Sequence, residues 1–332
     1  MSTVPVKTRD QWLDTFRGMA IVLMVVGHVL GGLMTTPYVT GTAGFREVYD
    51  WIYSFHMPAL FWASGLLMDK SLSSRGPVKF VVEKARTLMY PYLVWGILSQ
   101  IIAWLAQGYV NTEYDPKRLW RMLYDPSAGM WFLYTLFLLS VVYGLFWRVP
   151  GRRFVFFLFT VAGFAAFAYL KGDLPPGLHQ VSYFGIYLGL GLVMGNGAID
   201  AARQLPLSVL LLIGIAGFTA MTVFKMVLAP EVSVGLLLAL LGITGLFGIS
   251  ALVARVGPGV VRQFLALCGV NTLEIYMVHT YTSVPFRVGL HRAFGVNNGA
   301  VILIVATLGG LLGSLAVAWV AKRSPLRSLF RI

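Results

Sequence analysis

Runs of about twenty apolar residues, broken by short basic or Gly/Pro-containing loops, recur along the whole chain. At 1.5 Å per residue such a run spans the roughly 30 Å hydrocarbon core of a bilayer as a helix. The pattern therefore predicts an all-α polytopic integral membrane protein of about ten transmembrane helices. Hydropathy and flanking charge place them at roughly 14–34, 51–68, 87–107, 130–147, 154–170, 181–199, 206–228, 233–253, 264–285 and 299–320. The polar stretch 108–129, with Trp120 and Tyr124, reads as an outer interfacial helix or loop. Lys171 to Gln180, with Pro175, Pro176 and Gly177, reads as an outer turn. Gly185/Gly189, Gly191/Gly195 and Gly309/Gly313 are spaced for close helix packing in lipid. No soluble stretch is long enough for a second domain and no internal repeat is visible, so residues 1–332 read as a single membrane domain.

Composition agrees: 58% of the 332 residues are hydrophobic and 12% charged, against about a quarter charged in a soluble domain. The net charge of +13 does not call for nucleic acid, because the basic residues sit at span ends. With an even number of spans and the N-terminus inside, eighteen Lys/Arg (Lys7 and Arg9 through Arg331) flank cytoplasmic ends and eight, including Lys171, Arg287 and Arg292, flank outer ends. That bias puts both termini in the cytoplasm. The surplus charge suits anionic membrane lipid or a polyanionic ligand such as coenzyme A. The single Cys268 supports neither a disulfide framework nor a zinc site. Arg17 and His28 interrupt the first apolar stretch, which makes it a poor signal peptide and a retained helix.

Charge and imidazole inside a bilayer are costly, so each is a functional candidate. Arg17 and His28, eleven residues apart, return to within ~20° of one helix face and are separated by ~16 Å along it. Asp14 sits one turn below Arg17 and can pair with it. His56, in Phe55-His56-Met57-Pro58, is expected about five residues into the second helix, at the depth of His28, with Pro58 disturbing the backbone after it. Two histidines without a third suitably spaced ligand give no metal site. In the ninth helix Tyr276 and His279 share a face, whereas Glu274 diverges and needs a partner on another helix, a histidine or an arginine. Arg86, preceded by Lys79 and Lys84, is either a topology anchor or part of a phosphate site. Trp131 and Tyr134 read as aromatics near the outer face. His179 and His291 fall in outer loops and take no role. Snorkelling anchors and a buried structural network remain the alternatives throughout.

These residues resemble the acyltransferase family 3 membrane enzymes. Arg17 and His28 have the family's arginine, ten residues, histidine spacing. Phe55-His56-Met57-Pro58, followed by Phe61 and Ser64-Gly65, is similar to the second-helix motif of its fucose 4-O-acetylase-like branch. Tyr90-Pro91-Tyr92, Trp131-Phe132-Leu133-Tyr134 and Ile275-Tyr276 before His279 follow in the family's order. The resemblance implies a ten-helix fold in a bacterial inner membrane, with acyl-coenzyme A as cytoplasmic donor and no tightly bound cofactor. It also implies a carbohydrate or lipid-linked glycan acceptor at or beyond the outer face.

On that reading Arg17, Lys84 and Arg86 hold the donor's phosphates, and His28 is general base or transient acyl carrier. His56 polarises the thioester or positions the acceptor, and Glu274 orients a histidine or the acceptor. Trp131, Tyr134, Tyr276 and His279 contact substrate, with Asp14 as support. The alternatives are a transporter or flippase using the same His and Glu side chains as a proton relay, and a non-catalytic scaffold. The acyl group (acetyl or succinyl), the acceptor and a homo-oligomeric state are left open.

Overall fold

The computed structural model describes residues 10–105, 117–125, 130–170, 172–227, 232–325 and 327–330. Lys7, Arg9, Lys171 and Arg331 of the charge comparison, and 108–116 and 126–129 of the interfacial segment, lie outside the described residues. Among the described residues the protein is helical, with an isolated bridge between Thr40 and Asn298. Seven described helices are long and apolar enough to cross a membrane.

Helix α1 (Gln11–Met34) starts at Asp10, whose carboxylate accepts the Leu13 N–H at 2.9 Å and caps the first turn. It is the hub of the bundle and packs against seven later helices. Its closest crossing is with α12 (Gly259–Val270). There a Cβ on Gly18 would strike the Leu265 carbonyl, and one on Gly269 the Asp14 carbonyl. Glycine at both positions lets the backbones touch, which sets where Arg17 points.

The second span is two helices, α2 (Phe45–Tyr53) and α3 (His56–Arg75), broken at Ser54-Phe55. His56 is thus the first residue of α3 and not five residues into a helix. Pro58 is its third residue, where the amide it lacks would have had no helical acceptor, so it leaves the backbone undisturbed.

The third helix begins at Pro77 rather than near residue 87. Segment α4 (Pro77–Lys84) passes through a π-helical turn, Ala85–Met89, into α5 (Tyr90–Leu105).

The described part of the interfacial segment, including α6 (Lys117–Arg121), is largely exposed, with Leu119, Trp120, Leu123 and Tyr124 uncovered, and is tied to the bundle at its C-terminal end. Met122 and Asp125 are buried, and the Tyr92 and Tyr134 hydroxyls donate to the Met122 and Leu123 carbonyls at 2.7 and 3.2 Å. Helix α7 (Trp131–Leu145) has 15 residues, or ~22 Å, and begins inside the bundle.

Helices α8 (Arg152–Tyr169), α9 (Leu178–Gln204), α10 (Leu207–Val227) and α11 (Val232–Val256) follow. Gly185 and Gly189 pack on Thr160, and Gly65 and Gly191 bring α3 and α9 together. Gly195 differs from the packing role expected of it: at φ 45° and ψ −129° it kinks α9, a conformation open to glycine. The expected ninth span divides at Asn271 into α12 and α13 (Thr272–Phe294). Because α13 continues to Phe294, Arg287, His291 and Arg292 are helical rather than beyond the span. His179 likewise belongs to the first turn of α9. The chain ends with α14 (Gly299–Lys322), whose Gly309 and Gly313 pack on Phe286 and Thr282, and the short α15 (Arg327–Phe330).

Large apolar side chains such as Leu212, Ile215, Ile304 and Leu312 point outward uncovered, as acyl chains would solvate them. At the end of the bundle where α1 begins, Asp69 of α3 accepts from Tyr143 at 2.5 Å. It also pairs with Arg152 at 2.8 Å and Arg153 at 3.1 Å, tying α3, α7 and α8 together.

Candidate active site

His28 lies three turns above Arg17 on α1. Protein surrounds it on nearly every side, yet its ring keeps accessible surface. The ring stacks on His279 of α13, with centroids 4.9 Å apart and planes inclined by 19°.

The hydrogen bonds assign the protons. His279 Nδ1 lies 3.0 and 2.9 Å from the carbonyls of Ile275 and Tyr276, which can only accept, so Nδ1 carries the hydrogen. Neutral His279 then has a lone pair at Nε2, which also takes the Thr280 hydroxyl at 3.2 Å. Nε2 sits 2.9 Å from His28 Nδ1, so His28 donates from Nδ1. The Met24 sulfur, a weak acceptor, is beside that same nitrogen at 2.8 Å. His28 Nε2 is left with the lone pair. An imidazole held this way is set to accept a proton at one defined atom.

Tyr53 of α2 joins His28 to His56. Its ring is edge-on to both, 6.2 Å from His28 and 4.8 Å from His56, and it stacks on Tyr49 at 4.0 Å. Gly27 and Gly31 of α1 make room for these tyrosines; a Cβ would come within 2.9 Å of Tyr53 and 3.1 Å of Tyr49. His56 is fully buried, and its Nδ1 donates to the Ile52 carbonyl at 2.8 Å. That bond spans the α2–α3 break and holds the ring.

Trp131 and Tyr134 are both half-buried. Trp131 opens α7 inside the bundle, between Phe61 and Phe184 at 6.2 and 4.8 Å. Tyr134 is 5.5 Å from Tyr92. The Tyr276 oxygen accepts the Phe132 N–H at 3.3 Å, one turn below His279. Glu274 is buried, and its partner on another helix is a lysine rather than a histidine or arginine. Lys322 of α14 lies 3.6 Å away and also donates to Asn271 at 2.6 Å. The residue that orients His28 is thus His279, not Glu274. Asp14 is buried one turn below Arg17.

At the opposite end of the α1 stripe the Arg17 guanidinium donates to the Ala63 carbonyl of α3 at 3.1 Å. Lys84 lies within electrostatic reach of Arg17 and Arg75, and its ammonium sits 5.6 Å above the Phe80 ring. Arg86 is exposed on the π-helical turn. Arg75, Lys79, Glu83 and Arg86 line a cleft of about 410 Å³ floored by Val78 and Val82. Three cations and one carboxylate line this cleft, with Lys84 and Arg17 nearby but outside its lining. Like charges repel unless an anion joins them, and guanidinium forks match phosphate oxygens.

The model of an acyltransferase domain, that of acyltransferase family 3, matches residues 10–323. The chain belongs to this family. The nodulation protein NolL of Mesorhizobium japonicum is 29% identical over 136 residues, covering 39% of this chain and 34% of that protein. The chain thus spans about a third of the length of the curated relative it matches. No solved structure matches.

Within this acyltransferase domain the sequence reading missed several polar side chains. Tyr53 and Thr280 adjoin expected residues and contact the histidines directly. The Asp69–Tyr143–Arg152 cluster joins residues far apart in sequence, for which spacing offers no signal. Arg287 did have one: it lies eight residues, about two turns, beyond His279, but the span boundary at 285 put it in a loop. Among the described residues no three His, Cys, Asp or Glu side chains gather as metal ligands.

Proposed function

We propose that the protein is an O-acyltransferase of the bacterial inner membrane, with both termini cytoplasmic. It moves an acyl group, acetyl as the simplest case, from cytoplasmic acyl-coenzyme A to a hydroxyl of an exported or cell-surface carbohydrate. The observation that carries this reading is the contact of His28 Nδ1 with His279 Nε2, which leaves the lone pair of the exposed His28 on Nε2.

The donor's phosphates rest among Arg17, Lys84 and Arg86, beside Arg75 and Lys79. His28 stands ~16 Å from Arg17 along α1, with Ile21 and Met24 fully buried between them on that face, and the pantetheine arm brings the thioester beside the imidazole. His28 Nε2 takes the proton of the sugar hydroxyl as its oxygen attacks the thioester carbonyl. Collapse of the tetrahedral intermediate breaks the C–S bond, and the departing thiolate of coenzyme A recovers the proton from His28. His279 Nε2 accepts from His28 Nδ1 throughout and stabilises the transient imidazolium. An acyl-imidazole route would use the same nitrogen as nucleophile. His56 faces the reacting carbonyl across Tyr53; Trp131, Tyr134 and Tyr276 border the acyl passage; Glu274 acts through its helix. The likeness to a nodulation protein accords with the exported saccharide acceptors that the family resemblance implies.

The test is transfer of label from acetyl-coenzyme A to a glycan by the purified protein. Removing a general base costs about 10²- to 10⁴-fold, so His28→Ala should lose the label to that degree. Transfer unaffected by the change would overturn the assignment. Uptake of glycan without transfer would favour a transporter.

A further inference from the structure

Beyond His28, Gly32 lies one turn on in α1 and Thr36 just past the end of that helix. Arg287 of α13 reaches both. Its Nη1 donates to the Gly32 carbonyl at 2.9 Å and to the Thr36 hydroxyl at 3.1 Å. Gly32 is required, since a Cβ there would lie 2.8 Å from Nη1. Arg287 is 7% exposed, and its Nε is buried with no partner. The guanidinium has five donors in a planar fork, and its two recorded hydrogen bonds both use Nη1. The Nε–Nη2 edge, which grips carboxylate or phosphate oxygens in pairs, is unused.

A lone cap on the last turn of α1 explains Nη1, because cations favour helix C-termini. It does not explain a second, empty edge. Buried arginines near a membrane pair with an anion, and no carboxylate pairs with Arg287 among the described residues. Tyr49 and Tyr53 wall the intervening space with stacked rings on the α2 side.

We infer that Arg287 binds an anionic group of the acceptor, a carboxylate or a phosphate. That group lies about one or two sugar units from the hydroxyl presented to His28, since Gly32 is ~6 Å beyond it along α1 and Thr36 follows just past the helix end. The inference rests on the acyltransferase reading for what is bound, but its test needs no acyl-coenzyme A.

Binding of methyl glucoside, methyl glucuronide and glucose 1-phosphate to the purified full chain is compared at matched ionic strength. At least one acid should bind about tenfold or more tighter than the neutral sugar, the scale of one charge-assisted pair. Which acid wins distinguishes a uronate from a sugar phosphate. Arg287→Met should reduce the preference to within about threefold, and Arg287→Lys, which keeps the charge, should retain part of it. Equal binding of acid and neutral sugar by the wild type, or an acid preference that survives Arg287→Met, overturns the proposal. If anion preference holds but label never passes from acetyl-coenzyme A, the acyltransferase reading fails while the anion site stands.

Discussion

His279 reaches from α13 to His28 of α1, 251 residues away in sequence, and places its Nε2 2.9 Å from His28 Nδ1. This contact leaves the lone pair of His28 on Nε2, the nitrogen that serves as base in the proposed mechanism. His279 is therefore a positioning residue, and two backbone carbonyls position it in turn.

His279→Ala should lower kcat by about 10- to 100-fold, the usual scale for losing an orienting partner, and leave KM for acetyl-coenzyme A near its original value. His279→Gln should recover part of kcat, because an amide oxygen can accept from His28 Nδ1. Steady-state kinetics separates the two parameters. A rise in donor KM with kcat intact would count against this role.

The cation cluster carries the opposite signature. Arg17→Ala or Arg86→Ala should raise KM for acetyl-coenzyme A by about 10- to 100-fold, one charge-assisted contact each, with a smaller effect on kcat. The exposed Arg86 should lose its contribution at high salt sooner than the half-buried Arg17. KM measured across a potassium chloride series reads both effects. A salt-independent donor KM would speak against phosphate recognition here.

Glu274 and Lys322 form a buried pair at 3.6 Å, with the lysine one-third exposed. Lys322→Met leaves a carboxylate without its cation and should cost about 1–3 kcal/mol, seen as a lower midpoint in thermal unfolding in detergent. The double change Glu274→Gln/Lys322→Met should restore most of that loss. Activity that stays low in the thermally restored double variant would assign Glu274 to the chemistry; activity that returns would make it structural.

Gly18 and Gly269 hold α1 and α12 at backbone contact. Gly269→Val or Gly18→Val should destabilise the bundle by about 1–3 kcal/mol or more, the cost of overpacking, and shift Arg17 from Ala63. Gly259→Ala, where nothing lies within 4 Å of the added methyl, is the neutral control. Unfolding midpoints of the three variants check the contrast.

Asp69 accepts from Tyr143 and pairs with Arg152 and Arg153. Asp69→Asn should lower the unfolding midpoint, by about 1–3 kcal/mol for a partly buried charged hydrogen-bond centre. Arg153→Ala, the more exposed partner, should cost about 1 kcal/mol or less.

Hydropathy alone was enough for the helical membrane architecture, because a continuous backbone can satisfy its polar groups in lipid only as helix or closed barrel. It was also enough to single out Arg17, His28, His56 and His279, since an ionisable side chain in an apolar run stands out by its cost. The breaks at Ser54-Phe55 and Asn271 and the π turn at Ala85–Met89 were not legible. Each is a local exception inside an apolar stretch, settled by what the neighbouring helices leave room for. The ring neighbours of Trp131, Phe61 and Phe184, were not legible either, because they come from two other helices.

By itself, then, the order of residues determined that this chain is a bundle of helices with a cation and an imidazole on one stripe of the first. Helical periodicity and the price of desolvated charge are properties of a single segment, readable without its neighbours. Only the tertiary structure decided that His279 meets His28, that Glu274 answers to Lys322, and that Arg287 reaches back to Gly32 and Thr36. Those are relations between segments, set by which glycines let two backbones approach and so by packing that no one helix contains.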